Sequence, residues 1–301
     1  MTADDGDGRS YGKLTAPRVA AELSEWSTLC LPVGSLEQHG THLPLDTDTV
    51  IAERFALRLA AHVSDRHDLW VVPPVPYGLS PEHAWAPGTV TLDIPLYASL
   101  ITALVGEYRR ATPVRTVLLV NGHGGNRGVV EGVVHQLRHT HDVAICALHP
   151  STLAAGQVTV DSELPEVHAG IRETSLMLAL APEHVRLDLL PAGARPDPGQ
   201  REAIQRLVLD RGATWPWTSD DPALSTHGVI GGDPRKASVE LGEELIAAAL
   251  SAGADILDRL VPPGANGPIT LRRTPCPSQM MRRPHSNGTV SSYAEDWSPR
   301  T

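Results

Sequence analysis

The sequence lacks most of the features that would place it quickly. It has three cysteines in 301 residues, and none falls into a metal or redox spacing. Cys30 and Cys146 lie inside apolar, strand-like runs and Cys276 lies far downstream, so they read as two small buried residues and one exposed thiol. That usage suits a cytoplasmic protein. No run of about 18 apolar residues occurs, so no membrane span is expected. The first eight residues are acidic and polar, without the basic region and apolar core of a secretory signal. Positive charge is short: 25 Lys and Arg stand against 35 Asp and Glu, a net charge of -10. Such acidity disfavours nucleic acid as a partner and mainly keeps a protein in solution. The common hydrolase signatures His-Glu-x-x-His and Gly-x-Ser-x-Gly are also missing. Ser35, beside Gly34, therefore reads as a turn residue. Gly122-His-Gly124 begins like a dinucleotide fingerprint, but Arg127 stands where the third glycine belongs and no Walker lysine follows.

What is present is a regular alternation. Hydrophobic residues make up 41% of the chain, enough for one large α/β domain or two small ones. Strand-like runs are expected at Ser27–Val33, Leu69–Val75, Thr116–Val120 and Val143–Leu148. Helical spacing is expected at Thr49–Val63, Pro95–Arg110, Arg127–Arg138, Glu173–Leu180 and Val239–Leu260. In the second of these, Leu96, Leu100, Leu104 and Tyr108 recur four apart behind a proline suited to a helix start. The alternation predicts a mostly parallel sheet with helices on both faces. Leu190–Gln200, with three prolines, reads as a surface loop. After Pro262 the periodicity stops and Pro, Ser, Arg and Gly dominate, which predicts disorder. The expected division is a disordered stretch over 1–12, one domain over 13–261 and a disordered tail over 262–301.

Chemistry-bearing side chains gather in three short segments. The first holds Glu37, His39, His42, Asp46 and Asp48; the second is Asn121-Gly-His-Gly-Gly-Asn126; the third runs from His168 to Ser175. Imidazole with carboxylate is the ligand set of a hydrolytic transition-metal site. Glu37 and His39 are two apart, which on extended chain puts both on one face. Asp46 and Asp48 repeat that spacing before a helix, where a carboxylate can equally serve as a cap. His123 sits between glycines directly after a strand, and small neighbours allow a close approach to a ligand. Glu173 opens a helix, where an acidic side chain also suits the helix dipole. Two of the segments directly follow strand-like runs, and parallel sheets bind ligands beyond the carboxyl ends of their strands. Two histidines and three carboxylates suit two ions sharing one carboxylate. Paired ions lower the pKa of water from about 15.7 toward about 7 and clamp the attacked oxygen.

With these residues in view, the chain resembles the creatininase family of metal-dependent amidohydrolases. The matching motifs are Gly34-Ser-Leu-Glu-Gln-His-Gly40 with Leu43-Pro-Leu-Asp-Thr-Asp48, Ser80-Pro-Glu-His83 with Pro87-Gly-Thr89, Asn121–Asn126, and His168-Ala-Gly-Ile-Arg-Glu-Thr-Ser175. A weaker echo lies at His227–Pro234. The resemblance implies a three-layer α/β/α sandwich, a homo-oligomer (commonly a hexamer) and a two-metal site that opens amide bonds. By motif position it implies metal ligands at Glu37, His39, Asp48 and His123, with Asp48 as the bridge. Creatininase itself carries a glutamate two residues after the histidine of the third motif; that position is Gly125 here. Members with this Asn-Gly-His-Gly-Gly-Asn form take their last carboxylate from the fourth motif, which is Glu173. The Leu-Pro-Leu-Asp-Thr-Asp-Thr form is most similar to a branch that trims a C-terminal dipeptide from a precursor peptide. The resemblance thus implies a metal-dependent peptidase using Fe, Zn or Mn, with His168 or His83 moving a proton to the leaving amine. Either histidine could instead support a ligand. Arg127 or Arg172 could hold a peptide carboxylate. The alternatives are a small-molecule amidohydrolase, such as a creatininase or a formamide hydrolase, and a non-catalytic scaffold with a structural metal.

Overall fold

The computed structural model describes residues 7–261. Four parallel strands form the sheet of the described residues: β1 Thr28–Val33, β2 Leu69–Val71, β3 Thr116–Asn121 and β4 Ala144–Leu148, in the order β2-β1-β3-β4. The helices are α1 Ala16–Glu22, α2 Thr47–His62, α3 Ile94–Ala111, α4 Arg127–His141, α5 Pro150–Ala155, α6 Ile171–Leu180, α7 Arg201–Leu207 and α8 Val239–Leu260. The result is the expected α/β/α sandwich.

The two-residue period of the strands separates two cores. Leu29, Leu31, Val33, Val117 and Leu119 face one way, into a core shared with Tyr97, Ile101 and Val105 of α3 and Val130, Val133 and Leu137 of α4. Cys30, Leu118 and Val120 face the other way, toward Phe55 and Leu59 of α2, Met177 of α6, and Leu245 and Leu257 of α8. Every residue of β1 and β3 is buried, as a strand covered on both faces requires. Cys30 and Cys146 lie in β1 and β4 without a disulfide; Cys276 lies outside the described residues. No described helix is long and apolar enough to cross a membrane.

Local chemistry accounts for most element ends. Asp93 caps α3 by accepting from the Leu96 N–H at 2.7 Å, and Ser238 caps α8 by accepting from Leu241 at 3.1 Å. β2 ends at Val71, short of the expected Val75, because Pro73 and Pro74 supply no N–H to a ladder. Helices α1, α5 and α7 were not anticipated; at 7, 6 and 7 residues they are too short for a clear apolar period. The expected disorder over 1–12 is corrected for residues 7–12, which make short 3-10 turns. Contacts made elsewhere in the chain hold them: Arg9 pairs with Asp68 and lies over the Trp70 ring, and Tyr11 meets Tyr108 edge-on at 5.6 Å. Residues 1–6 and the tail 262–301 lie outside the described residues.

The strand order decides where a ligand can sit. The chain leaves β1 through α2 to β2 on one side, then crosses back through α3 to β3 on the other. β1 and β3 are therefore neighbours whose following loops diverge, opening a crevice at their carboxyl ends.

Candidate metal centre

The segment after β1 and the loop after β3 meet in that crevice. A Cβ on Gly122 would overlap the Asp48 carbonyl oxygen, so only glycine lets the β3 loop pass this close to the start of α2. That approach brings His123, from the β3 loop, against Asp48, in the first turn of α2. Glu37, His39, Asp48, His83, His123 and His168 are all buried, and Glu173 is 15% exposed. Donor atoms of Glu37, His39 and Asp48 lie within 4.8 Å of one another, as do those of His39, His168 and Glu173, and those of Glu37, His83 and His168.

Backbone carbonyls fix which histidine nitrogens are free. His39 Nδ1 donates to the Glu37 carbonyl at 3.1 Å, His123 Nε2 to the Leu79 carbonyl at 2.7 Å, and His168 Nε2 to the Gln38 carbonyl at 2.7 Å. A carbonyl can only accept, so each neutral ring presents its other nitrogen as a lone pair. Those nitrogens point at carboxylates. His39 Nε2 is 3.3 Å from Asp48 Oδ1 and 3.9 Å from Glu173 Oε2; His123 Nδ1 is 3.0 Å from Asp48 Oδ2; His168 Nδ1 is 3.5 Å from Glu37 Oε1. Lone pair against lone pair is repulsive unless a cation lies between them. Donor atoms sharing one tetrahedral ion at about 2.1 Å lie roughly 3.4 Å apart. The spacing fits.

Satisfaction of polar atoms points the same way. Both oxygens of Glu37, Nε2 of His39 and Oδ2 of Asp48 are buried without a hydrogen bond. Buried unpaired carboxylates are costly, and these converge on one point. Without a cation the cluster shares protons. Burial pushes Glu37 up to about 8. For His39 and His123, burial pulls down but the carboxylates win, Asp48 foremost at His39 and Glu37 at His123, raising them to about 9 and about 10. Burial also raises Asp48, yet His39 and His123 hold it well below the usual carboxylate range. His83 falls to about 3 and His168 well below its usual value, by burial first and then by neighbouring imidazoles. This contrast separates His39 and His123, which face Asp48 from opposite sides, from His83 and His168.

The remaining singled-out residues lie around this cluster. His42 is buried, with Nε2 2.9 Å from Thr174 Oγ1, beside Glu173. Asp46 is exposed at the start of α2, away from the cluster. Glu173 accepts the Ala169 N–H at 2.6 Å, and Ala169 holds a positive φ of 54°. Strained backbone of this kind gathers at functional sites. A Cβ on Gly125 would overlap the Leu79 carbonyl oxygen and come within 2.8 Å of Glu82 Oε1. No carboxylate can reach the cluster from position 125 without moving those groups. Arg127 lines the cavity above the cluster, and Arg172 does not.

Sequence reasoning missed Gln38 and Ser219. The Gln38 amide orientation is fixed because its Oε1 accepts the Gly40 N–H at 2.8 Å. Its Nε2 therefore donates, and it lies 3.0 Å from His83 Nδ1 and 3.2 Å from the Gly228 carbonyl. The Ser219 hydroxyl lies 2.7 Å from the same His83 nitrogen and accepts from Trp85 Nε1 at 2.9 Å. Gln38 had a legible signal, since it sits between two candidate ligands. Ser219 had none.

A buried carboxylate–imidazole cluster at the switch point of a parallel sheet defines a metal-dependent hydrolase, and the comparisons give its bond class, the amide. Residues 12–257 match the family described as creatininase, creatinine amidohydrolase. The chain is 34% identical over 258 residues to the mycofactocin precursor peptide peptidase of Mycobacterium ulcerans (strain Agy99), covering 82% of this chain and 90% of that protein. It is 28% identical over 274 residues to the creatinine amidohydrolase of Pseudomonas putida, covering 84% and 97%. The solved structure "Creatininase Mn" matches with a TM-score of 0.66 at 27% identity, covering 85% of this chain and 99% of that one. The chain belongs to the creatininase family.

Proposed function

We propose that the protein is a two-metal peptidase that removes the C-terminal Val-Tyr dipeptide from a mycofactocin-type precursor peptide. The observation that carries the reading is the arrangement of Asp48, whose two oxygens face two different histidines at 3.3 and 3.0 Å. Asp48 with His39 and Glu173 would hold one divalent ion, and Asp48 with His123 and Glu37 the other. The ligand types admit Fe, Zn or Mn. When bound, such a pair supplies an acidified water as nucleophile and polarises the scissile carbonyl.

The chain's own residues supply positioning and proton movement. His168 Nε2 is already committed to the Gln38 carbonyl, so of the two imidazole nitrogens near Gln38 Nε2 it is His83 Nδ1, at 3.0 Å, that accepts; His83 then carries its proton on Nε2, which faces Glu37 Oε1 at 3.4 Å. His83 thereby steadies Glu37. His168 has the opposite arrangement: its Nε2–H is tied to the Gln38 carbonyl, and its free Nδ1 faces the cluster. His168 takes a proton at Nδ1 and returns it to the leaving amine. Gly125, in place of a carboxylate, supports the peptide reading over creatinine, as does a cavity of about 680 Å³ above the cluster. By family resemblance the assembly is a homo-oligomer, a hexamer, and exposed Ile94 and Leu96 at the start of α3 support an interface; light scattering on the purified protein tests it.

The functional test is mass spectrometry on the metal-loaded protein with a precursor peptide ending in Val-Tyr, beside a creatinine turnover assay. Release of the intact dipeptide is the expected result. Creatinine turnover without peptide cleavage refutes the reading.

A further inference from the structure

Beneath the cluster, two amide side chains join the carboxyl ends of all four strands. Asn126 is at their centre and is completely buried. Its Oδ1 accepts the N–H of Leu79, in the segment after β2, at 2.9 Å, which fixes the orientation of the amide. Its Nδ2 therefore donates, to the Gly34 carbonyl directly after β1 at 2.9 Å and to Oδ1 of Asn121, the last residue of β3, at 3.2 Å. Asn121 Oδ1 also accepts the His123 N–H at 3.2 Å. Asn121 Nδ2 then donates to the His123 carbonyl at 2.7 Å and to Nδ1 of His149, beyond β4, at 3.0 Å. Every polar atom of the two amides has a partner, so the clasp has a single arrangement.

The clasp bears on one histidine. Asn121 grips the His123 backbone at both its N–H and its carbonyl. The His123 ring is held by the Leu79 carbonyl at 2.7 Å, and Asn126 holds the N–H of that same Leu79. The Gly34 carbonyl, also held by Asn126, opens the segment that carries Glu37. His39 and Glu173 are anchored elsewhere, to the Glu37 carbonyl and the Ala169 N–H, which Asn126 does not touch. The packing leaves the amide no room to shift: a Cβ on Gly78 would stand 2.6 Å from both Asn126 Oδ1 and the Gly34 carbonyl oxygen.

We infer that Asn126 is a positioning residue for His123. Buried as it is, it meets no substrate and holds no ion. It sets the place of the Leu79 carbonyl, and with it the direction in which His123 Nδ1 faces Asp48. This rests on the two-metal reading and adds what orients one of its ligands. Groups that orient a ligating imidazole are worth about 10–100-fold in metal affinity. The loss on removing Asn126 falls on the ion held by His123 and Glu37 and spares the ion held by His39 and Glu173.

The test titrates zinc into the metal-free full chain by calorimetry. Asn126→Ala should weaken one of two ions by about 10–100-fold and the other by less than about threefold. Val133→Ala, in the core under α4, should lower the denaturant midpoint and leave both affinities unchanged, which separates positioning from lost stability. A second readout needs no metal. Denaturant titration of Asn126→Ala, His123→Ala and the double variant should show effects that fail to add by about threefold or more in the folding equilibrium constant. Where Asn126→Ala does not fold, Gly78→Ala, which displaces the amide without removing it, replaces it in both measurements with the same results expected. Additive effects, unchanged affinities, or an equal loss at both ions overturns the assignment. Non-additive effects in a wild type that binds fewer than two ions leave the clasp standing and refute the two-metal centre. Additive effects in a wild type that binds two ions do the reverse.

Discussion

Replacing Asp48 by Asn tests the centre most directly. Asp48 is buried, and Asn keeps its size, so the fold should persist. The change removes the charge and turns one oxygen into an NH2 donor. In the native chain Oδ1 faces His39 at 3.3 Å and Oδ2 faces His123 at 3.0 Å. Either amide orientation puts the NH2 against one histidine and leaves one oxygen for the other. Both ion sites therefore lose a charged ligand at once. Losing a residue that merely supports a ligand costs about 10–100-fold in metal affinity, and loss of a ligand should exceed that at both sites. The readout is twofold. Elemental analysis should fall from about two ions per chain to well below one. Metal at about 100 times its Kd stabilises the native chain by about 2.7 kcal/mol. For a domain of this size that is a rise in Tm of about 5–10 °C. Asp48→Asn should lose this rise while its metal-free far-UV spectrum stays native. Peptide cleavage should fall by about 1,000-fold or more, since several kcal/mol of transition-state stabilisation go with the ions. An Asp48→Asn protein that still binds two ions and shows the full Tm rise refutes the shared-carboxylate arrangement.

Three further outcomes follow from the same geometry. Glu173→Gln touches only the His39 side, so elemental analysis should find about one ion per chain, and two retained ions would place the last carboxylate elsewhere. The metal-free protein should lose Tm as pH rises from about 6 to about 10. The folded values of His39 (about 9), His123 (about 10) and Glu37 (about 8) all lie above their ordinary ones, so their contribution is complete below the ordinary values and disappears as pH passes the folded ones. Asp48 is lowered and stays ionised across this window. Metal affinity should rise over the same range with proton release, and calorimetry in two buffers measures it; affinity independent of pH would contradict histidine ligation. Gly122→Ala forces a Cβ onto the Asp48 carbonyl and should cost about 1–3 kcal/mol by denaturant titration, with weaker metal binding. An unchanged midpoint would show that the β3 loop does not need its close approach.

Much of the fold was legible because its signals are local. β1 and β3 read as unbroken apolar runs, and α3 repeats its leucines every four residues behind Asp93 and Pro95. The short helices α1, α5 and α7 were illegible, since six or seven residues do not complete a recognisable period. The turns over 7–13 were missed because what holds them, Asp68, Trp70 and Tyr108, is far away in the chain.

The candidate site divides along the same line. Glu37 and His39 announce themselves by their spacing, His123 by its glycines, and Asp48 and Glu173 by their places at helix starts. The sequence alone determined these residue types and the strand-to-loop positions that carry them. Tertiary structure decided the rest. The order β2-β1-β3-β4 sets His123 against Asp48, 75 positions earlier in the chain, and Gly122 lets them close. Gln38 gives His83 and His168 the same Nε2–H tautomer in opposite orientations, its side-chain Nε2 facing His83 Nδ1 and its backbone carbonyl holding His168 Nε2, a distinction that neither histidine carries in its own neighbourhood. Ser219 reaches the cluster only through folding. Proton placement and cavity shape depend on atoms within about 3 Å in space, and their distance along the chain carries no information about that.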